Sequence, residues 1–281
     1  MKTYSHSRIV DIAKLFKKLL FTTREGARHA YNNYIKIKEQ MKQTFNEDVE
    51  GLKILDVGCG QRFPYTFLLS TTNDVTGIDL DVILYKHDVF TYKAIITNNG
   101  LNRFLKTFMR SIFFDKTYFQ ELKRIQDDGR KRRFRLLRMD AAKLQLPSNS
   151  IDFVISINAF EHFEHVEKVV REIKRVLKPG GQFYISIDVF SGCSGGHDDD
   201  PDHPWNHLLD ESFKPNVYLN KMRMDDYIKI FQGIFDKLHV ACAENPRSKR
   251  LLTPALKERL SKMGYSEREL VMGALVVMGE A

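Results

Sequence analysis

Apolar residues in this chain recur with two periods, and the switches between them lay out the expected elements. Over residues 7–45 the spacing is helical. Ile9, Ile12, Phe16, Leu19 and Leu20 form one stripe, and Ala27, Ala30, Tyr34, Ile37 and Met41 form a second. Thr22-Thr23-Arg24-Glu25 lies between the stripes and carries an N-cap and an acidic first turn, so two helices are predicted. Short apolar runs then predict strands at about 52–57, 75–79, 134–138, 151–157, 182–188, 235–242 and 271–279. A helix is predicted over 164–177, where Val166, Val169, Val170, Ile173, Val176 and Leu177 share a face and Lys178-Pro179-Gly180-Gly181 ends the run. Another is predicted over 219–233, and residues 82–130 read as a helical insertion too long for an ordinary connection. Alternating strands and helices call for an α/β fold built on a doubly wound parallel sheet.

The first strand ends in Ile54-Leu55-Asp56-Val57-Gly58-Cys59-Gly60, a buried run entering a tight glycine turn. Glycine there lets backbone approach a ligand without a Cβ in the way. Asp79 closes the next apolar run 23 residues after Asp56, where a carboxylate can bond both hydroxyls of a ribose. A dinucleotide fingerprint would place a third glycine after the turn, but here it continues Gln61-Arg62-Phe63-Pro64. Asp56 would repel a pyrophosphate and suits a ligand bearing an ammonium group. S-adenosylmethionine combines that amine with a sulfonium charge and a ribose diol, and is the cofactor expected.

The chain has 281 residues, enough for one large α/β domain with additions. Residues 1–46 are expected to form an N-terminal helical lid, and 47–281 a domain with its insertion at 82–130 and a substrate loop at 191–212. With no apolar run of about 18 residues and no charged-then-apolar leader, a cytoplasmic protein without a membrane span is expected. Cys59, Cys193 and Cys242 show no C-x-x-C spacing, which argues against a disulfide framework and a thiolate zinc site. The net charge is +8, and residues 101–138, with 12 Lys/Arg against four acids, hold the whole excess. That segment suits an anionic partner (a phosphorylated substrate, nucleic acid or a membrane face) or is a solvated basic helical insertion.

Four blocks in order, Ile54–Gly60, Gly77–Asp81, Arg138–Asp152 and Asn158–Gly181, resemble the class I S-adenosylmethionine-dependent methyltransferases of the type 11 kind. The resemblance spans roughly 52–190, and the last block contains Glu161-His162 and Arg175-Val176-Leu177-Lys178-Pro179-Gly180-Gly181. It implies a seven-stranded Rossmann-like sheet with an N-terminal helical addition and a helical insertion. It also implies that Asp56, Gly58 and Gly60 line the methionine portion of the cofactor and Asp79 binds the ribose diol. Leu80 would then pack on the adenine, Asp140 and the Ala141 backbone would read its amino edge, and Asn158 would sit beneath the sulfonium methyl. Arg62 departs from the small residue often found there, and either pairs with the cofactor carboxylate or points to solvent. The insertion and the His-Pro-Trp-Asn-His stretch resemble a branch near sugar and natural-product methylation.

In methyl transfer the cofactor supplies the electrophile, so the protein binds, aligns and excludes water; a base helps where a hydroxyl or amine must lose a proton. His162 is the first candidate, as a pocket residue or as a histidine capped at a helix start, with His165 facing solvent. Gly195-Gly196-His197-Asp198-Asp199-Asp200-Pro201-Asp202-His203-Pro204-Trp205-Asn206-His207 offers His197 and His207 as bases on a substrate-contacting loop, a metal site of no recognised spacing, or a plain polar loop. No metal is assigned from the sequence. Trp205 fits a sugar or flat ring, or simply anchors the loop. A pocket-facing position is open to Asn220 and Arg223, and no role is assigned to either. The acceptor expected is a small molecule or glycan taking an O- or N-methyl group. The alternatives are an RNA methyltransferase using Arg130–Arg138 on phosphates, against which Asn158-Ala159-Phe160 replaces an Asn-Pro-Pro-aromatic motif, and a diverged cofactor-binding protein. The oligomeric state is left open.

Overall fold

A computed structural model describes residues 5–127, 129–197, 204–215 and 217–281, with side chains from residue 19 onward. The strands are β1 (Lys53–Val57), β2 (Asp74–Asp79), β3 (Arg133–Arg138), β4 (Ile151–Ile157), β5 (Leu177–Asp188), β6 (Lys237–Glu244) and β7 (Met272–Glu280). The helices up to β5 are α1 (Ser5–Phe45), α2 (Pro64–Leu69), α3 (Val89–Asn99), α4 (Leu101–Arg110), α5 (Lys116–Gln126) and α6 (Val166–Val176). After it come α7 (Asn206–Leu209), α8 (Met224–Gln232), α9 (Pro246–Leu251), α10 (Pro254–Lys262) and α11 (Glu267–Val271). The seven strands form one sheet in the order β3-β2-β1-β4-β5-β7-β6.

The chain divides into two compact units: Met1–Gly51, Gly60–Val75 and Asp81–Arg138 in the first, and Leu52–Cys59, Thr76–Leu80 and Met139–Ala281 in the second. In the first, the stripe Ala27, Ala30, Tyr34, Ile37 and Met41 is buried, as its helical spacing predicts. The break expected at Thr22–Glu25 is absent, and α1 runs on as one helix. The two threonine hydroxyls both bond back to the Leu19 carbonyl, at 2.9 and 2.8 Å, so they are satisfied inside a helix rather than capping a new one. Arg28 reaches Glu121 on α5 at 2.9 Å, and Arg124 reaches the same carboxylate at 2.8 Å. These bonds hold Glu121 well below the usual carboxylate range, at about 2. The insertion is helical as expected, with a π-turn at Ser111–Asp115 joining α4 to α5.

In the second unit β4 is largely buried on both faces, the mark of a central strand. It pairs in parallel with β1 (Leu55 opposite Val154) and with β5 (Ile155 opposite Tyr184). The expected doubly wound seven-stranded sheet is present, and one strand departs from the parallel direction: β7 runs antiparallel to both β5 and β6. Strand direction follows from how the chain returns to the sheet, and nothing in a strand's own apolar run records it. The helix expected over 219–233 begins only at Met224, since the Asp226 side chain accepts the Arg223 amide at 3.1 Å and fixes the first turn there. Three short helices, α9 to α11, precede β7 and lack a long apolar stripe. Their starts are nonetheless written locally: Asn245, Thr253 and Ser266 each cap a first turn, with proline at the first helical position of α9 and α10.

Candidate functional site

The carboxyl ends of parallel strands collect the chemistry in the second unit. Val57 ends β1, and Gly58 follows with φ 71°. The amides of Gly58 and Cys59 both donate to the Ile78 carbonyl, at 2.9 and 3.0 Å, so the glycine turn is fastened one residue before Asp79. A Cβ on Gly58 would stand 2.5 Å from the Ala159 Cβ, which makes glycine necessary for packing as well as for backbone angle. Gly60, at φ 69°, has nothing within 4 Å of a Cβ position and needs only the angle. Asp56 is buried, Asp79 half-buried and Leu80 exposed. The Asp79 carbonyl accepts the Met139 amide at 2.9 Å, placing Asp140 and Ala141 next along this edge. Asp140 is exposed, and its Oδ1 accepts the Ala142 amide at 2.8 Å. Asn158 follows β4 in a left-handed conformation (φ 52°) and donates its Nδ2 to Asp188 Oδ2 at 3.0 Å.

Next to Asn158 lies a cluster of titratable groups. Glu161 is 3% exposed, and neither carboxylate oxygen has a hydrogen-bond partner among the described residues. Burial, and then the neighbouring Asp188, push its pKa up to about 8; the amides of Glu161 and Asp188 oppose the shift without reaching hydrogen-bond geometry. Asp188, closing β5, is likewise raised by burial to about 6, with His162 opposing. His162 is half-buried, and its Nδ1 lies 2.8 Å from the Tyr218 carbonyl. A carbonyl only accepts, so Nδ1 carries the hydrogen and Nε2, 3.8 Å from Glu161 Oε1, is the basic nitrogen of the neutral ring. The His197 ring stands edge-on to His162 with centroids 5.0 Å apart. Partial burial of that ring, and then His162, lower its pKa. One donor atom from each of Glu161, His162 and His197 fits within 4.8 Å of the others.

The structure therefore brings His162 and His197 together and places His207 elsewhere. His207 is buried, its Nε2 is 2.6 Å from the Phe190 carbonyl and its Cβ fills the space beside Gly196; it supports the loop. Trp205 is fully buried and donates to the Ser191 carbonyl at 3.0 Å, which is the anchoring role. Asp198, Asp199, Asp200, Asp202 and His203 of the same loop lie outside the described residues. His165 is exposed. Asn220 donates to the Phe160 and Phe163 carbonyls at 2.8 and 3.0 Å, bracing the turn that carries Glu161 and His162. Arg223 pairs with Glu269 at 2.5 Å. Arg62, in the first unit, reaches Asp115 at 3.1 Å and lies over the Tyr118 ring, so the split between cofactor carboxylate and solvent resolves to an internal ion pair.

Sequence reasoning missed Glu161 and Asp188 as site residues. Asp188 had a readable signal, since it closes an apolar strand as Asp79 does. Glu161 had none, because its isolation from hydrogen-bond donors is a tertiary property. Several cations of the basic segment are engaged within the first unit: Arg103 with Asp81, Arg110 with Asp115, Arg124 with Glu121 and Arg135 with Asp74. That unit also holds a cavity of about 590 Å³ lined by Val82, Tyr85, Phe90, Phe134 and Arg135 among others, and none of the predicted cofactor-binding or base residues lines it.

A family profile described as a methyltransferase domain matches residues 103–185. Sterol 24-C-methyltransferase of Aspergillus fumigatus is 27% identical over 158 residues, covering 55% of this chain and 32% of that protein. Human thiol S-methyltransferase is 25% identical over 114 residues, covering 39% of this chain and 43% of the relative. The chain thus spans about a third of the length of the sterol methyltransferases it matches. Among solved structures, a phosphoethanolamine N-methyltransferase of Haemonchus contortus is similar over 89% of this chain and 52% of its own, with a TM-score of 0.49 at 17% identity.

Proposed function

We infer, from a chain that belongs to the class I S-adenosylmethionine-dependent methyltransferase family, that this protein transfers the cofactor's methyl group to a hydroxyl or amine of a small molecule or glycan. The observation that carries the reading is the pair of hydrogen bonds from the Gly58 and Cys59 amides to the Ile78 carbonyl, which fastens bare backbone next to the strand end that carries Asp79. Asp79 is suited to accept both ribose hydroxyls, and Gly58 and Gly60 to admit the methionine chain past Asp56. When bound, the cofactor supplies the electrophilic methyl; the protein's part is alignment and proton handling. His162 is the base of this proposal, because Tyr218 fixes its tautomer and leaves Nε2 with a lone pair toward Glu161. His197 beside it, its pKa lowered by partial burial and then by His162, can share that proton. The engagement of Arg103, Arg110, Arg124 and Arg135 by acids favours a small acceptor over an RNA backbone.

The reading is tested by calorimetry with S-adenosylhomocysteine, followed by incubation of metabolite and glycan extracts with cofactor carrying a deuterated methyl group. Stoichiometric cofactor binding and a labelled small product support it. Absence of cofactor binding by folded protein ends it, and label appearing only in RNA replaces its acceptor class.

A further inference from the structure

We propose that Glu161, His162 and His197 bind a first-row divalent cation of the Zn²⁺ or Mn²⁺ kind through one carboxylate oxygen and two imidazole nitrogens. Their donor atoms lie within 4.8 Å of one another. Two independent features of the chain point to a missing ligand. The Glu161 carboxylate is 3% exposed and both its oxygens lack a hydrogen bond among the described residues, an arrangement that is costly unless something positive or protic completes it. His162 meanwhile gives its Nδ1 hydrogen to the Tyr218 carbonyl and turns Nε2 toward that carboxylate, the outer-shell arrangement that orients metal-binding imidazoles.

The loop is built to deliver the third donor. A Cβ on Gly195 would stand 2.2 Å from the Phe190 carbonyl oxygen, and one on Gly196 would stand 2.4 Å from the His207 Cβ. Only glycine lets the chain fold back there, and His197, at φ 56°, follows directly with its amide bonded to the Ser194 carbonyl at 3.0 Å. Trp205 and His207 pin the loop from beneath. Asp188, held by Asn158, neighbours Glu161 and His162 as an outer carboxylate. A nitrogen-rich set favours borderline transition cations over Mg²⁺, which prefers oxygen and retains water. Three protein ligands among the described residues leave coordination positions open. That an open position would take the acceptor's heteroatom, with the bound cation rather than His162 Nε2 then acidifying its proton, rests on the methyl-transfer reading above; cation binding does not.

Full-length protein freed of metal with chelator is titrated with ZnCl₂, MnCl₂ and MgCl₂ by calorimetry, and with CoCl₂ while its visible absorption is recorded. Expected are one equivalent of Zn²⁺ or Mn²⁺, weaker Mg²⁺ binding, and Co²⁺ bands of a nitrogen–oxygen site. Glu161→Gln, close to isosteric, and His197→Ala, at an exposed position, should each weaken Zn²⁺ by at least about tenfold, whereas exposed His165→Ala leaves it unchanged. Circular dichroism confirms that each variant is folded. No stoichiometric binding of any transition cation, undiminished affinity in both Glu161→Gln and His197→Ala, or Mg²⁺ bound as tightly as Zn²⁺ overturns the proposal. Binding of S-adenosylhomocysteine, measured on the same metal-free protein, separates its failure from failure of the methyltransferase reading.

Discussion

Asn158 spans the ends of two parallel strands to donate its Nδ2 to Asp188 at 3.0 Å, and it does so from a left-handed backbone conformation, φ 52°. The backbone angle and the hydrogen bond are separable. Asn158→Gly keeps the angle without strain and loses the bond, so a stability loss of about 1 kcal/mol is expected. Asn158→Ala loses the bond and also strains the backbone by about 1 kcal/mol more, for roughly 2 in total. Urea unfolding of both variants decides the matter; equal stabilities would mean that the left-handed angle carries no cost.

Gly58 faces a harder constraint than Gly60. A methyl group on Gly58 meets the Ala159 Cβ at 2.5 Å as well as an unfavourable φ, whereas at Gly60 only the angle objects. Gly58→Ala should therefore lower the melting temperature more than Gly60→Ala. Adding Ala159→Gly to Gly58→Ala should recover the clash component but not the strain. Identical melting temperatures for the two single variants would contradict this account.

Asp79 is expected to dominate cofactor affinity. Asp79→Ala removes two charge-assisted hydrogen bonds to a ribose diol, so calorimetry with S-adenosylhomocysteine should show at least about a tenfold weaker complex. A folded variant with unchanged affinity would remove Asp79 from the pocket.

The parts of this site that were legible in the sequence share one property: their roles are fixed within a few residues. Gly58 declares itself because a strand end, a glycine turn and a buried acid are contiguous. Thr22 and Thr23 misled the expectation of a second helix start because a threonine hydroxyl can cap a helix or bond back, here to Leu19, and the surrounding packing decides. His162 and His207 looked alike as histidines near glycine or acid, yet one presents Nε2 to a buried carboxylate and the other fills the space beneath Gly196. Asp188 and Glu161 became partners only when β5 was laid beside β4.

Glu161 yields a prediction whose sign follows from its burial. Its folded pKa is about 8, raised above the 4.5 of an unperturbed glutamate chiefly by desolvation and then by Asp188. Below pH 4.5 the group is protonated in both folded and unfolded chains and costs nothing. Between 4.5 and 8 the unfolded chain releases the proton while the folded one retains it, so this group makes metal-free protein less stable as pH rises. Above 8 both forms are ionised and the penalty is constant. Glu161→Gln abolishes the titration while keeping nearly the same volume. The variant's advantage over wild type should therefore be larger at pH 8 than at pH 5, when urea unfolding is compared in chelator at the two values. Added Zn²⁺ should reverse the order at pH 8, because the cation stabilises the folded wild type through a carboxylate that glutamine lacks. A stability gap between the two proteins that stays the same at both pH values would show that Glu161 is not the buried neutral acid its surroundings dictate.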